Sequence, residues 1–189
     1  MALSTEKQAP PLDIVDINGK AVAIGTGRRM VLSFFREASC PFCNFRVYVL
    51  TNNYRNLAEL GLDVVAVFSS DEPEVRKFVA AQPRPFRIVA DPDNTAHNTY
   101  QIQRSWWGKF RAMLLHMPAL LAGLKITRGA GMTTGNMLPA DFLIDENGKL
   151  VEAYYGKDAG DHIPIERIEL FAARGLAAKN AAAPVPASA

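Results

Sequence analysis

The stretch that decides the fold is Met30–Cys43, MVLSFFREASCPFC. It begins with a short apolar run, Met30–Phe35, which is typical of a strand buried on both faces of a sheet. It ends in Cys40-Pro41-Phe42-Cys43, which opens a helix-like run that continues to Leu60. The stretch therefore predicts a buried strand followed directly by a helix whose first turn carries two cysteines.

The spacing of the two cysteines indicates redox chemistry. Cysteines three positions apart at the start of a helix lie about one turn from each other, close enough to form a disulfide. The helix N-terminus offers free N–H groups and partial positive charge, which stabilise the thiolate that attacks disulfides and peroxides. Cys40 and Cys43 are the only cysteines in the chain. The pattern predicts a redox-active disulfide, with Cys40 as the exposed nucleophile and Cys43 as the sheltered resolving thiol.

Two other uses of the cysteines are weaker. They could be two buried apolar side chains without chemistry, although their place at a strand-to-helix junction argues against this. A structural zinc needs four ligands, and the chain has no second cysteine pair. His97, His116 and His162 are scattered and show no ligand spacing. We therefore expect neither a metal nor another cofactor.

Composition sets the broad class of the protein. With 189 residues, 49% of them hydrophobic and 21% charged, the chain is typical of one soluble globular domain with extensions. A net charge of +2 is too mild to indicate a nucleic-acid partner. Two cysteines are too few for a secreted disulfide framework, and the polar start 1–11 lacks the apolar core of a signal peptide. We expect a cytoplasmic protein.

The uncharged stretch Ala112–Leu124 is too short for a membrane span.

Hydrophobic periodicity and turn signals give the order of the elements. A hairpin around Asn18-Gly19 is followed by alternating strands and helices, an insertion, a second hairpin around Asn147-Gly148 and a closing helix. This order predicts an α/β protein with a mixed central sheet flanked by helices, as in the thioredoxin fold. We divide the chain into an N-terminal arm at 1–11, a domain at 12–175 with an insertion at about 104–138, and a disordered Ala/Pro-rich tail at 176–189.

Four segments in this order carry a family resemblance. They are VLSFFR (31–36) leading into Cys40, VAVFSSDEPE (65–74), VADPD (89–93) and FLIDENGKL (142–150). On these segments the chain resembles the peroxiredoxin-like AhpC/TSA branch of the thioredoxin-fold superfamily, from about Leu12 to Phe171. The resemblance implies a thioredoxin-like fold and a thiol-dependent antioxidant enzyme.

The chain departs from that family at two places near the cysteines. The family pattern P-x-x-x-T/S-x-x-C is changed, because Ser33 and Glu37 hold the Pro and Thr positions. An arginine usual before the F-x-I-D strand is replaced by Pro139. That proline instead resembles the cis-proline facing the C-x-x-C pair of thioredoxins, and CPFC itself is glutaredoxin-like. The resemblance therefore predicts a cis Leu138–Pro139 bond packed on the cysteines, the alternative being a proline that opens an edge strand.

Side chains beside the pair are candidate supporting residues. Arg36 could lower the pKa of Cys40 or orient a peroxide, or it could be a solvated loop charge. Ser39 could cap the helix and donate a hydrogen bond to sulfur. Glu37 would disfavour a thiolate nearby, so we expect it to point outward or to transfer protons. Arg46, further along the helix, is expected at the surface.

The insertion carries an apolar helical stripe. Alternating spacings of four and three place six side chains on one face: Trp106, Phe110, Met113, Met117, Leu120 and Leu124. Pro118 disfavours helical geometry at Met117 and predicts a kink or two shorter helices. The stripe packs on the core or, alternatively, forms a lid, a substrate groove or a dimer face. We expect Phe42, Trp106 and Phe110 to contact the substrate.

Three functions remain open from the sequence. In a peroxidase, the Cys40 thiolate attacks a hydroperoxide and Cys43 then forms the disulfide. In a thiol–disulfide exchange enzyme, Cys40 attacks a protein or glutathione disulfide and Cys43 resolves the mixed disulfide. A redox-sensing binding module is the third alternative. The first two need an external thiol reductant, of thioredoxin or glutathione type, and a homodimer is left open.

Overall fold

The computed structural model describes residues 3–129 and 135–182, and its centre is a five-stranded sheet of order β3-β2-β1-β4-β5. The central strand β1 runs parallel to β2 and antiparallel to β4, so the predicted mixed sheet flanked by helices is confirmed. The elements are β1 Arg29–Phe35, α1 Pro41–Glu59, β2 Leu62–Phe68, α2 Glu72–Phe78, β3 Arg87–Ala90, α3 Thr95–Thr99, α4 Trp106–Leu115, α5 Met117–Ile126, β4 Ala140–Ile144, β5 Leu150–Tyr155 and α6 Ile165–Ala182.

Strand β1 is covered on both faces, which explains its continuous apolar sequence. Val31 and Phe35 belong to one hydrophobic cluster together with residues of α1 and α6. Leu32 and Phe34 point to the opposite side and join a second cluster. Alternate side chains of one strand thus supply two cores, and the strand delivers the chain to the start of α1 in a fixed direction.

Helix α1 begins where the sequence places the cysteine pair. Cys40 is the N-cap residue with an extended backbone, and Pro41 occupies the first turn, where its fixed φ suits a helix start. The helix ends at its C-cap Leu60, followed by Gly61 with φ 78°. A glycine in that conformation closes a helix without steric cost. The predicted extent of this helix is confirmed.

The insertion forms two short helices that pack against the start of α1. Helix α4 ends before His116 and α5 begins after it, which confirms the interruption predicted from Pro118. Leu120 is buried, and a Cβ on Gly123 would lie 2.1 Å from the carbonyl oxygen of Pro41. Only a glycine therefore lets α5 approach the backbone of the cysteine motif so closely. No helix among the described residues is long and apolar enough to cross a membrane.

The two ends of the chain differ from the prediction in opposite ways. The N-terminal hairpin is reduced to a single bridge between Val15 and Ala21. The arm is hydrogen bonded to the sheet edge, since the Glu6 N–H donates to the Leu150 carbonyl at 2.8 Å. Residues 176–182, predicted to be disordered, lie in α6, because the run LAAKNAA is rich in the strongest helix former. Residues 183–189 lie outside the described residues.

Candidate active site around the cysteine pair

Arg36 lies directly against the sulfur of Cys40. Its Nη2 donates a hydrogen bond to Cys40 Sγ at 2.8 Å, and its Nη1 donates to the carbonyl oxygen of Gly135 at 3.0 Å. Only 2% of Arg36 is exposed. The residue that follows β1 is therefore a fixed buried cation at the Cys40 sulfur, and not a solvated loop charge.

The surroundings of the two thiols separate their pKa values. Burial alone would raise the pKa of Cys40, but a hydrogen bond from Cys43 and the charge of Arg36 outweigh it and lower that pKa to about 6. Burial, and then the hydrogen bond to Cys40, raise the pKa of Cys43 well above its ordinary value. Both cysteines are free. The pair is therefore arranged as a Cys40 thiolate that accepts a hydrogen bond from a Cys43 thiol.

The expected exposure of Cys40 is wrong, because the side chain is completely buried. Helix α5 lies over Pro41 through Gly123, and the chain at Gly135 lies over Arg36. The start of a helix predicts the local geometry of its first turn. It does not predict which distant segments cover that turn.

The loop between β1 and α1 is fixed by side chains from two other segments. The Ala38 N–H donates to the Ser70 hydroxyl at 3.0 Å. Asn44 Nδ2 donates to the carbonyl oxygens of Ala38, at 2.6 Å, and of Cys40, at 3.0 Å. Asn44 and Ser70 therefore hold the cysteine loop, and neither residue is among those predicted from the sequence.

Two predicted supporting residues behave differently from expectation. Glu37 does not point outward, since its Oε1 accepts a hydrogen bond from the Gly135 N–H at 2.8 Å. Its other oxygen is buried and has no hydrogen-bond partner in the described part of the chain. Ser39 is half-buried and does not cap α1, because Cys40 itself takes the N-cap position without a side-chain cap bond.

A second buried polar cluster lies beneath the cysteine helix. Asp141 accepts hydrogen bonds from Ser33 Oγ at 2.6 Å and from the Ile163 N–H at 2.9 Å, and its Oδ2 lies 3.0 Å from His162 Nδ1. Burial would raise the pKa of Asp141, but the charge and the hydrogen bond of His162, followed by the charge of Arg46, lower it to about 2. The carboxylate is therefore held ionised inside the core.

This cluster shares a face of the sheet with the cysteines. The rings of His162 and Phe35 lie 5.1 Å apart, and Phe35 packs in the same hydrophobic cluster as both cysteines. Arg46 is not at the surface as predicted: it is buried, and its Nη2 donates to the Ile163 carbonyl at 2.7 Å. The chain around Ile163 covers the second turn of α1, which periodicity along α1 alone could not indicate.

A sequence signal for this cluster existed. Ser33 and Asp141 are each a polar residue inside an otherwise apolar strand, and charged side chains are almost never fully buried unless they are paired. The two residues lie opposite each other in the β1–β4 register. A polar residue in each of two buried strands therefore marks a cross-strand polar pair.

The predicted cis bond at Leu138–Pro139 is wrong, because this peptide is trans. The Pro139 carbonyl accepts a hydrogen bond from the Gly156 N–H at 2.9 Å, directly before β4 begins. The extended backbone therefore continues the β4–β5 ladder outward through Pro139. The likeness to the thioredoxin proline is one of sequence and not of backbone conformation.

The predicted substrate contacts are divided between core and surface. Phe42 is 5% exposed and packs in the core, whereas Trp106 and Phe110 are 68% and 66% exposed on α4. Phe110 lines a groove with other side chains of α4, and neither cysteine is part of it. The substrate-binding roles of these residues remain predictions. Residues 3–129 and 135–182 contain no group of three His, Cys, Asp or Glu side chains placed to hold a metal.

Comparison with known proteins identifies relatives over nearly the whole chain. Residues 5–153 match the AhpC/TSA family. A Mycobacterium tuberculosis protein assigned to the peroxiredoxins is 27% identical over 89% of this chain and 95% of its own length. Peroxiredoxin Bcp of Escherichia coli is 24% identical over 82% of this chain and 86% of its own. Among solved structures, a thiol:disulfide interchange protein DsbE from Chlorobium tepidum superposes with a TM-score of 0.60 at 23% identity, covering 91% of this chain and 99% of that one.

Proposed function

The chain belongs to the AhpC/TSA family, and on that basis we propose that it is a peroxiredoxin-like enzyme that reduces hydroperoxides with the Cys40–Cys43 dithiol. Cys40 is the nucleophile and Cys43 the resolving thiol. The observation that carries the proposal is the 2.8 Å hydrogen bond from Arg36 to the sulfur of Cys40. It supplies a permanent cation beside the sulfur that must be a thiolate. The same cation lies where negative charge develops on the leaving oxygen of the peroxide.

The reaction begins with attack of the Cys40 thiolate on the terminal oxygen of the hydroperoxide. An S–O bond forms and the O–O bond breaks, so the leaving oxygen departs as an alkoxide that takes up a proton. Cys40 is then a sulfenic acid. The Cys43 sulfur attacks it, the Cys40–Cys43 disulfide forms and water leaves. An external thiol donor reduces the disulfide and restores both thiols.

Arg36 has a hydrogen-bond donor to spare for this chemistry. Its two terminal nitrogens are used by Cys40 and Gly135, whereas Nε is buried and has no partner among the described residues. A buried guanidinium N–H without an acceptor is costly unless a ligand supplies one. We assign the peroxide oxygens to this donor. Arg36 thereby takes over the task of the arginine that Pro139 replaces.

A stopped-flow comparison tests the proposal. The reduced protein is mixed separately with hydrogen peroxide, an organic hydroperoxide and a small aromatic disulfide. We expect both hydroperoxides to oxidise it faster than the disulfide does, and Cys40→Ser to be inert towards all three. Recycling by a thioredoxin system and by glutathione is then compared under multiple turnover to identify the class of donor.

Thiol–disulfide exchange is the second candidate. It is favoured by the placement of both cysteines within one helical turn, with Pro41 and Phe42 between them. The trans Pro139 removes one argument for it, because the Leu138–Pro139 peptide lacks the cis conformation expected of such a site. A faster reaction with the disulfide than with either hydroperoxide would replace the first proposal by this one.

A further inference from the structure

Helices α4 and α5 expose an unusual number of large apolar side chains. Trp107 is 80% exposed and Leu114 is 72% exposed. We call the surface that they form with their neighbours the insertion face; its apolar members are Trp106, Trp107, Phe110, Leu114, Leu115, Met117 and Leu121. Contiguous apolar surfaces of this kind are rare on monomeric proteins and mark interaction sites.

The side chains of the insertion face differ in character between its two helices. On α4, a groove of about 210 Å³ is lined by Trp107, Phe110, Arg111, Leu114 and Leu115. On α5, residues 117, 121 and 125 recur at helical spacing and are all exposed, and residue 128 is exposed just beyond the end of the helix at Ile126. They are Met117, Leu121, Lys125 and Arg128. The face therefore passes from aromatic, through aliphatic, to cationic side chains.

The charge of this region has one sign. No aspartate or glutamate lies between Asp93 and Asp141, whereas the same stretch contains Arg104, Lys109, Arg111, Lys125 and Arg128. The buried Asp158 lies 3.5 Å from Arg111, and its side chain is only 3% exposed. A cavity of about 700 Å³ at the end of α5 is lined by Arg128 together with two further cations, Lys77 and Arg84, and by no acidic side chain.

We propose that the insertion face docks on an anionic lipid surface, with α4 and α5 lying in the plane of the bilayer. Adjacent tryptophans are suited to the headgroup level, leucine and methionine to the acyl boundary, and lysine and arginine to lipid phosphates. Each helix has ten residues, about 15 Å, half the thickness of the hydrocarbon core. The helices therefore lie along the membrane rather than across it.

Charge favours a lipid surface over a second copy of the chain. A twofold dimer through this face would place the same patch against itself, and that patch has no acidic side chain to pair with its cations. Like charges brought together at an interface cost free energy, whereas anionic headgroups complement them. A bilayer satisfies the apolar and the cationic parts of the face at once.

Docking would place the redox site beside the lipid. Helix α5 contacts the backbone of Pro41 through Gly123, so a docked insertion holds the first turn of α1 close to the surface. The docking itself does not depend on the proposed reaction, because it uses no residue of the cysteine site. Binding and hydroperoxide reduction therefore succeed or fail separately.

The two tryptophans make the test direct. Trp106 and Trp107 are the only tryptophans in the chain, so tryptophan fluorescence excited selectively over the five tyrosines reports on the insertion face. The full-length reduced protein is titrated with vesicles of phosphatidylcholine, and with vesicles in which a quarter of the lipid is phosphatidylglycerol. We expect a blue shift of the emission and co-sedimentation with the anionic vesicles, and at least ten-fold weaker binding to the neutral ones.

Matched variants distinguish binding through the insertion face from non-specific adsorption to vesicles. Lys125→Gln with Arg128→Gln should weaken binding to anionic vesicles more than ten-fold, since each cation near such a surface changes affinity about five-fold. Leu114→Ala should weaken binding to both vesicle types. The controls Arg55→Gln and Leu170→Ala, at exposed sites on α1 and α6, should remain within two-fold of the wild type.

Three results would overturn the proposal. The first is no binding of the wild-type protein to anionic vesicles. The second is equal binding to neutral and anionic vesicles, which would leave the cations without a role. The third is self-association that buries the tryptophans without lipid, seen as a blue shift that depends on protein concentration and as dimers in analytical ultracentrifugation.

Discussion

Replacing Arg36 by methionine tests the electrostatic basis of the site. At pH 7 a thiol with a pKa of about 6 is roughly nine-tenths thiolate. The replacement removes the 2.8 Å hydrogen bond from a buried guanidinium to the Cys40 sulfur. Hydrogen bonds to charged groups contribute about 1.5–3 kcal/mol. Because 1.36 kcal/mol changes a pKa by one, the loss would raise the Cys40 pKa from about 6 to between about 7 and about 8.

The expected loss of activity has two parts. Fewer Cys40 side chains are ionised at pH 7, which lowers the rate by up to about ten-fold. The leaving oxygen of the hydroperoxide also loses its cationic donor, and removal of one such donor from an active site typically costs about 100- to 1,000-fold. The rate constant for the hydroperoxide should therefore fall further than the rate of alkylation of Cys40, which needs the thiolate alone.

The assay is the pH dependence of both reactions in the Cys43→Ser background, where only Cys40 reacts. In the presence of Arg36, alkylation should rise as the pH increases through the Cys40 pKa and level off above it. With Arg36→Met the rise should move to higher pH, and Arg36→Lys, which keeps the charge, should lie between the two. The control Arg55→Met, a 93% exposed side chain on α1, should change neither profile. An unshifted profile in a folded Arg36→Met variant would refute the account of the site.

Two further predictions concern the scaffold. Asp141 has a pKa of about 2 when folded, below its ordinary 3.8, so its stabilisation is complete above pH 4 and is lost as the pH falls towards 2. Asp141→Asn should lower the free energy of unfolding in urea at pH 7 by about 2 kcal/mol. It should also reduce the loss of stability between pH 4 and pH 2, and an unchanged loss in that range would contradict this. Gly123→Ala should lower the free energy of unfolding in urea by about 1–3 kcal/mol although alanine is the better helix former, because its Cβ would meet the Pro41 carbonyl at 2.1 Å. An unchanged or raised free energy of unfolding would mean that α5 does not pack there.

The features that depend only on residues close together in the sequence could be predicted. The continuous apolar run of β1, the helix start at Cys40 and the break near Pro118 each follow from the residues themselves, and the structure contains all three. The order of strands and helices then limits the sheet to few arrangements. The mixed sheet and the place of the cysteine pair within it could therefore be predicted.

The burial of a side chain could not be predicted where a segment distant in the sequence covers it. The sequence predicts an exposed Cys40, a surface Arg46 and a Glu37 that points outward or transfers protons. Each of the three sites is covered by chain that lies about 80 to 120 positions further on. The Pro139 prediction failed for another reason, since it transferred a backbone conformation on sequence likeness alone. Periodicity describes which face of an element is apolar, but not which later element packs upon it.

The most direct test of the central claim is to locate the oxidation product of one equivalent of hydroperoxide. The account predicts that the wild-type protein loses two hydrogens by intact mass spectrometry, with a disulfide that joins Cys40 and Cys43. It also predicts that Cys43→Ser, oxidised in the presence of a sulfenic-acid trap, carries the trap on Cys40. A trap found on Cys43 in Cys40→Ser at a comparable rate, or a reduced wild-type protein that hydroperoxide leaves unchanged, would contradict it.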